Sequence, residues 1–289
     1  MARPGRAANP AASVYRTAIQ HVGSPGPSGE DRMTTAPEVE FRRLRADELR
    51  ARAAADAVAI VPFGAIEQHG PHLPVEVDSL LGNEVALRTA RKMAGRGEPV
   101  VVLPMVWTGV SEHHMSFGGT ITLDLATYAA LVEGICRSLV RHGFRRLVLL
   151  NGHGGNDNAL RCITDELTPK LGVPIIQMTY WHPTSTEIGA LLETQTALLH
   201  ACEAETAMTM ALRPELVARE KIPAASQAMD YVQPGPYRWR TLEAVSSSGV
   251  IGNPAAATPE KGELLLEAIS TKLSDILCNA ELWAAEAGV

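Results

Sequence analysis

The sequence has few cysteines, no excess of basic residues and no long apolar segment, and each absence excludes a class of protein. Lysine and arginine number 26 against 32 acidic residues, and the net charge of −6 argues against a nucleic-acid partner. No apolar run approaches the roughly 18 to 20 residues that would cross a bilayer. The four cysteines form no CxxC pair, so we predict buried, reduced thiols in a cytoplasmic protein without a membrane partner; they are Cys136, Cys162, Cys202 and Cys278.

Residues 1–36 differ in composition from the rest of the chain. Gly, Pro, Ala and Ser dominate, three arginines precede the first acidic residue, Glu30, and no apolar segment of the kind found in signal peptides is present. We predict a disordered N-terminal tail over 1–36 and one domain over 37–289. A transit peptide is a weaker alternative, because the segment is basic and poor in acids.

Beyond residue 39, short apolar segments alternate with helical patterns. Strand-like runs cover 57–63, 99–103, 146–150 and 173–178, and helical spacing covers 46–56, 79–94, 124–142, 156–171 and 260–285. Strands that are apolar on both faces are typical of a parallel sheet covered on both sides, which predicts an α/β domain. Ligands of open α/β sheets bind beyond the carboxyl ends of the strands, so functional side chains should follow the strands.

Three polar segments contain candidate functional side chains, and two of these segments directly follow predicted strands. In "IEQHGPHLPVEVD" (66–78), Glu67 and His69 follow a predicted strand and project to one face if the chain is extended, and Asp78 precedes a helix that Ser79 can cap. The segment "LLNGHGGN" (149–156) places a histidine in a glycine loop between strand and helix, and "LLHACEAET" (198–206) adds a histidine and two glutamates. Imidazole and carboxylate donors suit Zn²⁺, Mn²⁺ or Fe²⁺. The predicted site residues in these segments are Glu67, His69, Asp78, His153, His200 and Glu205.

Each of these residues also has a structural interpretation. A single glutamate is usually a solvated surface charge, and a single histidine is usually satisfied by hydrogen bonds, but their joint occurrence after strands favours a site. One carboxylate can bridge two cations about 3.5 to 4 Å apart, and we assign that role to Asp78. The glycine loop is neither GxGxxG nor a P-loop, so we expect its glycines to admit substrate or stabilise an oxyanion, with nucleotide binding as a weaker alternative. We interpret the remaining acidic and imidazole groups as structural or surface residues: His72, Glu76 and Glu203.

Four segments together resemble the creatininase (creatinine amidohydrolase) family: "GAIEQHGPHLPVEVD" (64–78), "GVSEHHMSFGGTITL" (109–123), "LVLLNGHGGN" (147–156) and "HACEAETAM" (200–208). The resemblance covers about residues 40–275. It implies a three-layer α/β/α sandwich with a mostly parallel central sheet and a two-metal hydrolase of C–N amide bonds, typically a homo-hexamer. Carried over residue by residue, it implies Glu67, His69, Asp78 and His153 as metal ligands, Glu205 near the metals and His200 as the catalytic acid/base. Substrate contacts are implied for Ser111, Gly152, Gly154 and Trp181.

The chain also departs from creatininase itself. Gly155 stands where creatininase has an acidic metal ligand, Leu199 stands where a carboxylate precedes the catalytic histidine, and Thr196 aligns with a tryptophan that packs on substrate. We therefore expect a substrate other than creatinine. The NGHGGN form is more similar to family branches that act on formamides of pyrimidine intermediates or on the mycofactocin precursor peptide. We expect a metal-dependent amidohydrolase with two Zn²⁺ or Mn²⁺ ions (Fe²⁺ as an option); a lactonase and a non-catalytic metal- or phosphate-binding regulator are the alternatives.

Overall fold

A four-stranded parallel sheet organises the computed structural model, which describes residues 37–225 and 238–284. The strands are β1 (Val58–Phe63), β2 (Val100–Val102), β3 (Arg146–Asn151) and β4 (Ile175–Thr179), in the order β2-β1-β3-β4. The central pair aligns Val58 with Arg146 and Phe63 with Asn151, so β1 and β3 end side by side. The tail predicted over 1–36 lies outside the described residues.

Helices follow or connect the strands along the chain. They are α1 (Ala46–Ala54), α2 (Val77–Gly95), α3 (Leu125–Arg141), α4 (Asp157–Leu171), α5 (Ser185–Leu191), α6 (Glu203–Leu212), α7 (Ile222–Ala225) and α8 (Pro259–Leu277). Short 3-10 turns lie between them, including Glu112–His114 and Gly154–Asn156. Within the described residues, no helix is both long and apolar enough to cross a membrane.

Two apolar layers sandwich the sheet, because alternate residues of each strand point to opposite faces. In β1, Val58 and Ile60 contribute to the core beneath α2, α6 and α8, whereas Ala59 and Val61 contribute to the core beneath α3 and α4. All six residues of β1 are buried, which is why its sequence lacks the polar alternation of a half-exposed strand. The predicted α/β/α sandwich is thereby confirmed.

Local sequence features set most helix ends. The Asp124 side chain accepts a hydrogen bond from Thr127 N (2.9 Å) and begins α3, and Gly172 adopts a left-handed conformation (φ 63°) that ends α4. The prediction that Ser79 caps α2 was wrong: α2 begins at Val77, and the Ser79 hydroxyl donates to Ala65 O (2.9 Å). All four cysteines are free, as predicted, and Cys136 and Cys202 are buried. The expectation of burial was wrong for Cys162, which is exposed on α4, and Cys278 is half-buried.

Candidate metal and catalytic site

The candidate site lies where β1 and β3 end, facing the first turns of α2 and α6. Asp78, in the first turn of α2, lies between two histidines from different loops. Its Oδ1 is 3.2 Å from Nε2 of His69, which follows β1, and its Oδ2 is 3.0 Å from Nδ1 of His153, which follows β3. The carboxylate predicted to bridge two cations thus presents one oxygen to each of two imidazoles.

Two further carboxylates complete the cluster. Glu67 Oε2 is 3.3 Å from Nδ1 of His153, and Glu205 Oε2 is 4.0 Å from Nε2 of His69. Four sets of three donor atoms lie within 4.8 Å of one another in the described residues, and two of these sets contain Asp78. We call the set His69, Asp78 and Glu205 site 1, and the set Glu67, Asp78 and His153 site 2.

Hydrogen bonds to backbone atoms orient both imidazoles. His69 Nδ1 lies 3.1 Å from Glu67 O, and His153 Nε2 lies 3.1 Å from Val110 O and from Ser111 Oγ. Because a carbonyl only accepts, each of these ring nitrogens carries the proton, and the other nitrogen of each ring faces the carboxylates. This arrangement is typical of metal-binding histidines, whose second N–H is fixed by a backbone or carboxylate acceptor.

Three buried atoms of the cluster have no hydrogen-bond partner: Glu67 Oε2, His69 Nε2 and Asp78 Oδ2. Buried polar atoms are normally satisfied, so such a concentration needs an explanation. All three belong to the donor sets of site 1 or site 2 and point into the space between the carboxylates and imidazoles. The residues present therefore fit divalent cations with mixed oxygen and nitrogen ligands.

Burial and mutual charge perturb the titration of the cluster strongly. Burial raises the pKa of Glu67, and it raises the pKa of Glu205 to about 8. Burial would lower the pKa of His69, but the adjacent Asp78 carboxylate raises it to about 9, and Glu67 likewise holds the pKa of His153 well above its usual value. Burial would raise the pKa of Asp78, yet His69 holds it below its usual range. Without cations, protons on the two imidazoles balance the Asp78 carboxylate, and Glu205 also holds a proton near neutral pH.

His200 lies at the edge of this cluster, and Gln68 sets its proton position. His200 Nε2 donates to Gln68 O (2.9 Å), which leaves Nδ1 unprotonated and 3.7 Å from Glu67 Oε1. The Gln68 amide nitrogen lies 3.0 Å from Nδ1 of His114, so His114 Nε2–H is the donor toward Glu67 Oε1 (3.3 Å). Burial and the neighbouring His69 lower the pKa of His200 well below its usual value, so its ring is neutral when no cation is bound.

A cavity of about 420 Å³ opens onto the cluster. Its wall includes Trp181 and Gly154, two of the residues predicted to contact substrate. Ser111 and Gly152 lie elsewhere: Ser111 is buried with its hydroxyl against His153 Nε2, and Gly152 packs so closely on α2 that a Cβ there would lie 3.1 Å from Asp78 O. In this structure both position other groups rather than line the cavity.

The sequence-based reasoning missed several residues that shape the site. Glu67 is contacted by His114, and the loop between β2 and α3 also brings His113 to the cavity wall. Asn156 links that loop to β1, because its side chain accepts from Val110 N (2.9 Å) and donates to Gly64 O (3.1 Å). The histidine pair was visible in "SEHHM", but nothing in the local pattern says that this turn reaches Glu67.

Comparisons with known proteins agree on one family. The sequence model described as "Creatininase: Creatinine amidohydrolase" matches residues 42–277. The chain is 31% identical over 259 residues to creatinine amidohydrolase of Pseudomonas putida, covering 80% of this chain and 92% of that protein. It is also 31% identical over 207 residues to the mycofactocin precursor peptide peptidase of Mycobacterium ulcerans (strain Agy99), covering 70% and 77%.

Solved structures agree with the sequence comparison. The chain superposes on a crystal structure of creatinine amidohydrolase (creatininase) with a TM-score of 0.74 at 29% identity, covering 86% of this chain and 99% of the other. Two further creatininase structures, one described as "Creatininase Mn" and one variant described as "Zn-Zn type", each have a TM-score of 0.73 at 28% identity. Each covers 86% of this chain and 100% of its own.

Proposed function

The chain belongs to the creatininase family, and from this premise we propose that it is a metal-dependent amidohydrolase that uses water to cleave a C–N amide bond of a small substrate. Cyclic amides, formamides and short peptide-like amides are the candidate substrates. The observation that carries the proposal is the position of Asp78, with one oxygen toward His69 and the other toward His153. That arrangement is suited to a carboxylate shared by two cations.

We propose that site 1 and site 2 each hold one divalent cation, with Asp78 common to both. Zn²⁺ and Mn²⁺ are favoured because the donors are imidazole and carboxylate, and Fe²⁺ fits the same set. The related creatininases described with zinc and with manganese support this assignment. When bound, such cations lower the pKa of a coordinated water and polarise a substrate carbonyl.

The chain's own residues supply proton transfer and orientation. His200 is neutral, with Nδ1 unprotonated near Glu67, so it takes up the proton that the attacking water loses and delivers it to the leaving nitrogen. Nε2 of His200 donates to Gln68 O and so stays protonated throughout, which means that proton transfer takes place at Nδ1. Trp181 and the Gly154 backbone bound the space in which the amide is held.

The outer part of the cavity favours a substrate that carries a negative charge. Arg238, Trp239 and Arg240 lie together on the cavity wall and are exposed. Of the four acidic lining residues, Glu112 is exposed, and the other three belong to the buried cluster. Trp239 is 53% exposed and offers an indole for a planar group. Guanidinium groups bind carboxylates and phosphates through paired donors. We therefore propose that the substrate bears a carboxylate or phosphate at the end distant from the scissile amide.

Metal removal tests the central proposal. The protein is treated with a chelator, freed of it, and assayed on a panel of amides, formamides and short peptides, before and after addition of Zn²⁺ or Mn²⁺. We expect activity to vanish with the metal and to return on reconstitution. Full activity in metal-free protein would overturn the mechanism. Matched lactones in the same panel test the C–O alternative, and a thermal shift caused by metals without any turnover would favour the regulatory alternative.

Two variants separate ligand from proton carrier. Asp78→Ala should lose bound metal, because both donor sets share that carboxylate, whereas His200→Ala should retain metal and lose turnover. His142→Ala, at an exposed position at the end of α3, is the matched control and should change neither. If His200→Ala removes metal, His200 is a ligand and its proposed role is wrong.

The resemblance also leads us to propose a cytoplasmic homo-oligomer, a hexamer by family precedent, built from one catalytic domain over residues 37–289. Multi-angle light scattering on purified protein tests the assembly, and a monomer at micromolar concentration would contradict it.

A further inference from the structure

His113 is an imidazole at the active-site wall to which the proposed mechanism gives no role. Its backbone is fixed, because His113 O accepts a hydrogen bond from Leu242 N (2.8 Å). Within the described residues, its ring contacts the rings of His114 and His153 and makes no hydrogen bond. A half-buried imidazole with a fixed backbone and no hydrogen-bond partner has both nitrogens available to a ligand.

Hydrogen bonds to Gln68 fix the proton positions of the neighbouring His114 and His200, whereas the His113 ring has no such bond among the described residues. His114 accepts from Gln68 at one nitrogen and faces Glu67 with the other, which carries the proton. His200 donates to Gln68 O and keeps only one nitrogen for the cavity. Among the described residues, His113 is therefore an imidazole of the cavity wall with no hydrogen bond at either nitrogen, and the proposed mechanism does not use it.

The position of the His113 ring is coupled to a glycine in the loop after β3. A Cβ built on Gly155 would lie 2.8 Å from His113 Cε1 and 2.4 Å from His153 Nε2. The His113 ring thus takes up the space that a side chain at position 155 would need. It also lies almost parallel to the His153 ring, with centroids 5.8 Å apart and an interplanar angle of 18°.

A donor nitrogen of His113 is also close to one residue of site 2, Glu67. One ring nitrogen of His113, one of His114 and a Glu67 oxygen all lie within 4.8 Å of one another. Glu67 belongs to site 2, whose three protein donors leave at least one coordination position of a Zn²⁺ or Mn²⁺ ion open to water or to a further side chain.

We propose that His113 is an additional metal ligand that completes site 2, in place of any side chain at position 155. The proposal rests on the proposed two-cation function. It assigns the pair Gly155 and His113 a joint role: the glycine leaves room, and the imidazole supplies the donor. The bound cation would then be held by Glu67, Asp78, His153 and His113.

Metal binding, measured apart from activity, tests the assignment. Wild type, His113→Ala, His113→Glu and the control His142→Ala are stripped, reloaded with Zn²⁺ or Co²⁺, and examined by elemental analysis, chelator competition and the visible spectrum of Co²⁺. We expect two cations in wild type and control. In His113→Ala one of the two should bind at least tenfold more weakly, since even outer-shell changes cost about 10–100-fold. His113→Glu, which offers a carboxylate, should recover most of that loss and shift the Co²⁺ spectrum.

The possible results separate the role of His113 from the proposed two-cation function. If His113→Ala binds both cations within twofold of wild type, His113 is no ligand, although the two-cation hydrolase stands. Equal weakening in His113→Ala and His113→Glu would likewise overturn the proposal, because it would indicate lost packing rather than a lost donor. If wild type binds no cation, the proposed function itself fails, and the role of His113 fails with it.

Discussion

Replacing Gly155 by alanine should damage site 2 although it adds only one methyl group. The new Cβ would lie 2.1 Å from Val110 O and 2.4 Å from His153 Nε2. Ordinary contacts of carbon need about 3.5 Å, so backbone or ring must move by about 1 Å. Because Val110 O also accepts the His153 N–H, relief of the clash breaks the bond that orients this imidazole. Overpacking of this kind costs about 1–3 kcal/mol, and we expect the upper end because the obstructing atom is backbone.

Gly154→Ala is the matched control, since a Cβ there has nothing within 4 Å. Urea unfolding of metal-free protein gives the stability change, and chelator competition gives the affinity for the cation at site 2. We expect Gly155→Ala to lose about 2–3 kcal/mol and at least tenfold in metal affinity, while Gly154→Ala stays within about 0.5 kcal/mol of wild type in unfolding. Equal effects of the two substitutions would refute the argument, because then the loop would tolerate a side chain at either position.

Four further predictions concern the buried Lys261–Glu203 pair, Gln68 and the two arginines of the cavity wall. Lys261→Met removes the cation that contacts buried Glu203 and should cost about 3–5 kcal/mol in urea unfolding; a loss below 1 kcal/mol would contradict it. Burial would raise the pKa of Glu203, but the hydrogen bond from Lys261 holds it below the ordinary value of 4.5. The ionised Glu203 carboxylate therefore stabilises the folded protein fully above about pH 4.5, and this stabilisation is lost as the pH falls further. The stability gap between wild type and Glu203→Gln should therefore narrow in acid; a constant gap from pH 7 to 3 counts against this. Gln68→Ala should lower kcat about 10–100-fold while the metal is retained, because the protonated nitrogen of His200 is no longer fixed. An unchanged kcat would contradict this role of Gln68. Arg238→Gln with Arg240→Gln should raise KM about tenfold for anionic amides only; equal effects on neutral analogues would exclude charge recognition.

The sheet and the metal cluster were predictable from sequence because both follow from one pattern. Strands apolar on both faces indicate a buried parallel sheet whose strands all end at one edge, so Glu67 and His153 were expected at the same edge. The pairing of β1 with β3 in the structure then makes them neighbours. Asp78 was placed correctly beside them, although it lies inside the first turn of α2 rather than before it.

The remainder depends on contacts between distant segments, which no local pattern encodes. Gln68 reaches His114 and His200 and donates to Gly249 O, 181 positions away, so its role appears only in three dimensions. His113 belongs to a 3-10 turn ten residues beyond β2, and bridges such as Ile66 with Ile121 bring that loop to the site. Ser111 was expected at the substrate, but it lies behind His153.

A comparison of two glutamates on α6 indicates why the cluster is built for exchangeable ligands. Glu203 and Glu205 are both buried in its first turn. The Glu203 carboxylate accepts from Thr194 N (2.8 Å), Thr194 Oγ1 (2.6 Å), Glu193 N (3.0 Å) and Lys261, a fixed set that balances its charge. Glu205 has Ala201 N (2.5 Å) and then faces His69, whose Nε2 has no hydrogen-bond partner. The first turn of α6 thus gives the Glu203 carboxylate a full set of fixed partners, whereas the Glu205 carboxylate has one fixed hydrogen bond among the described residues. Buried charges left open in this way are stable only with a mobile counter-charge, a proton or a metal ion.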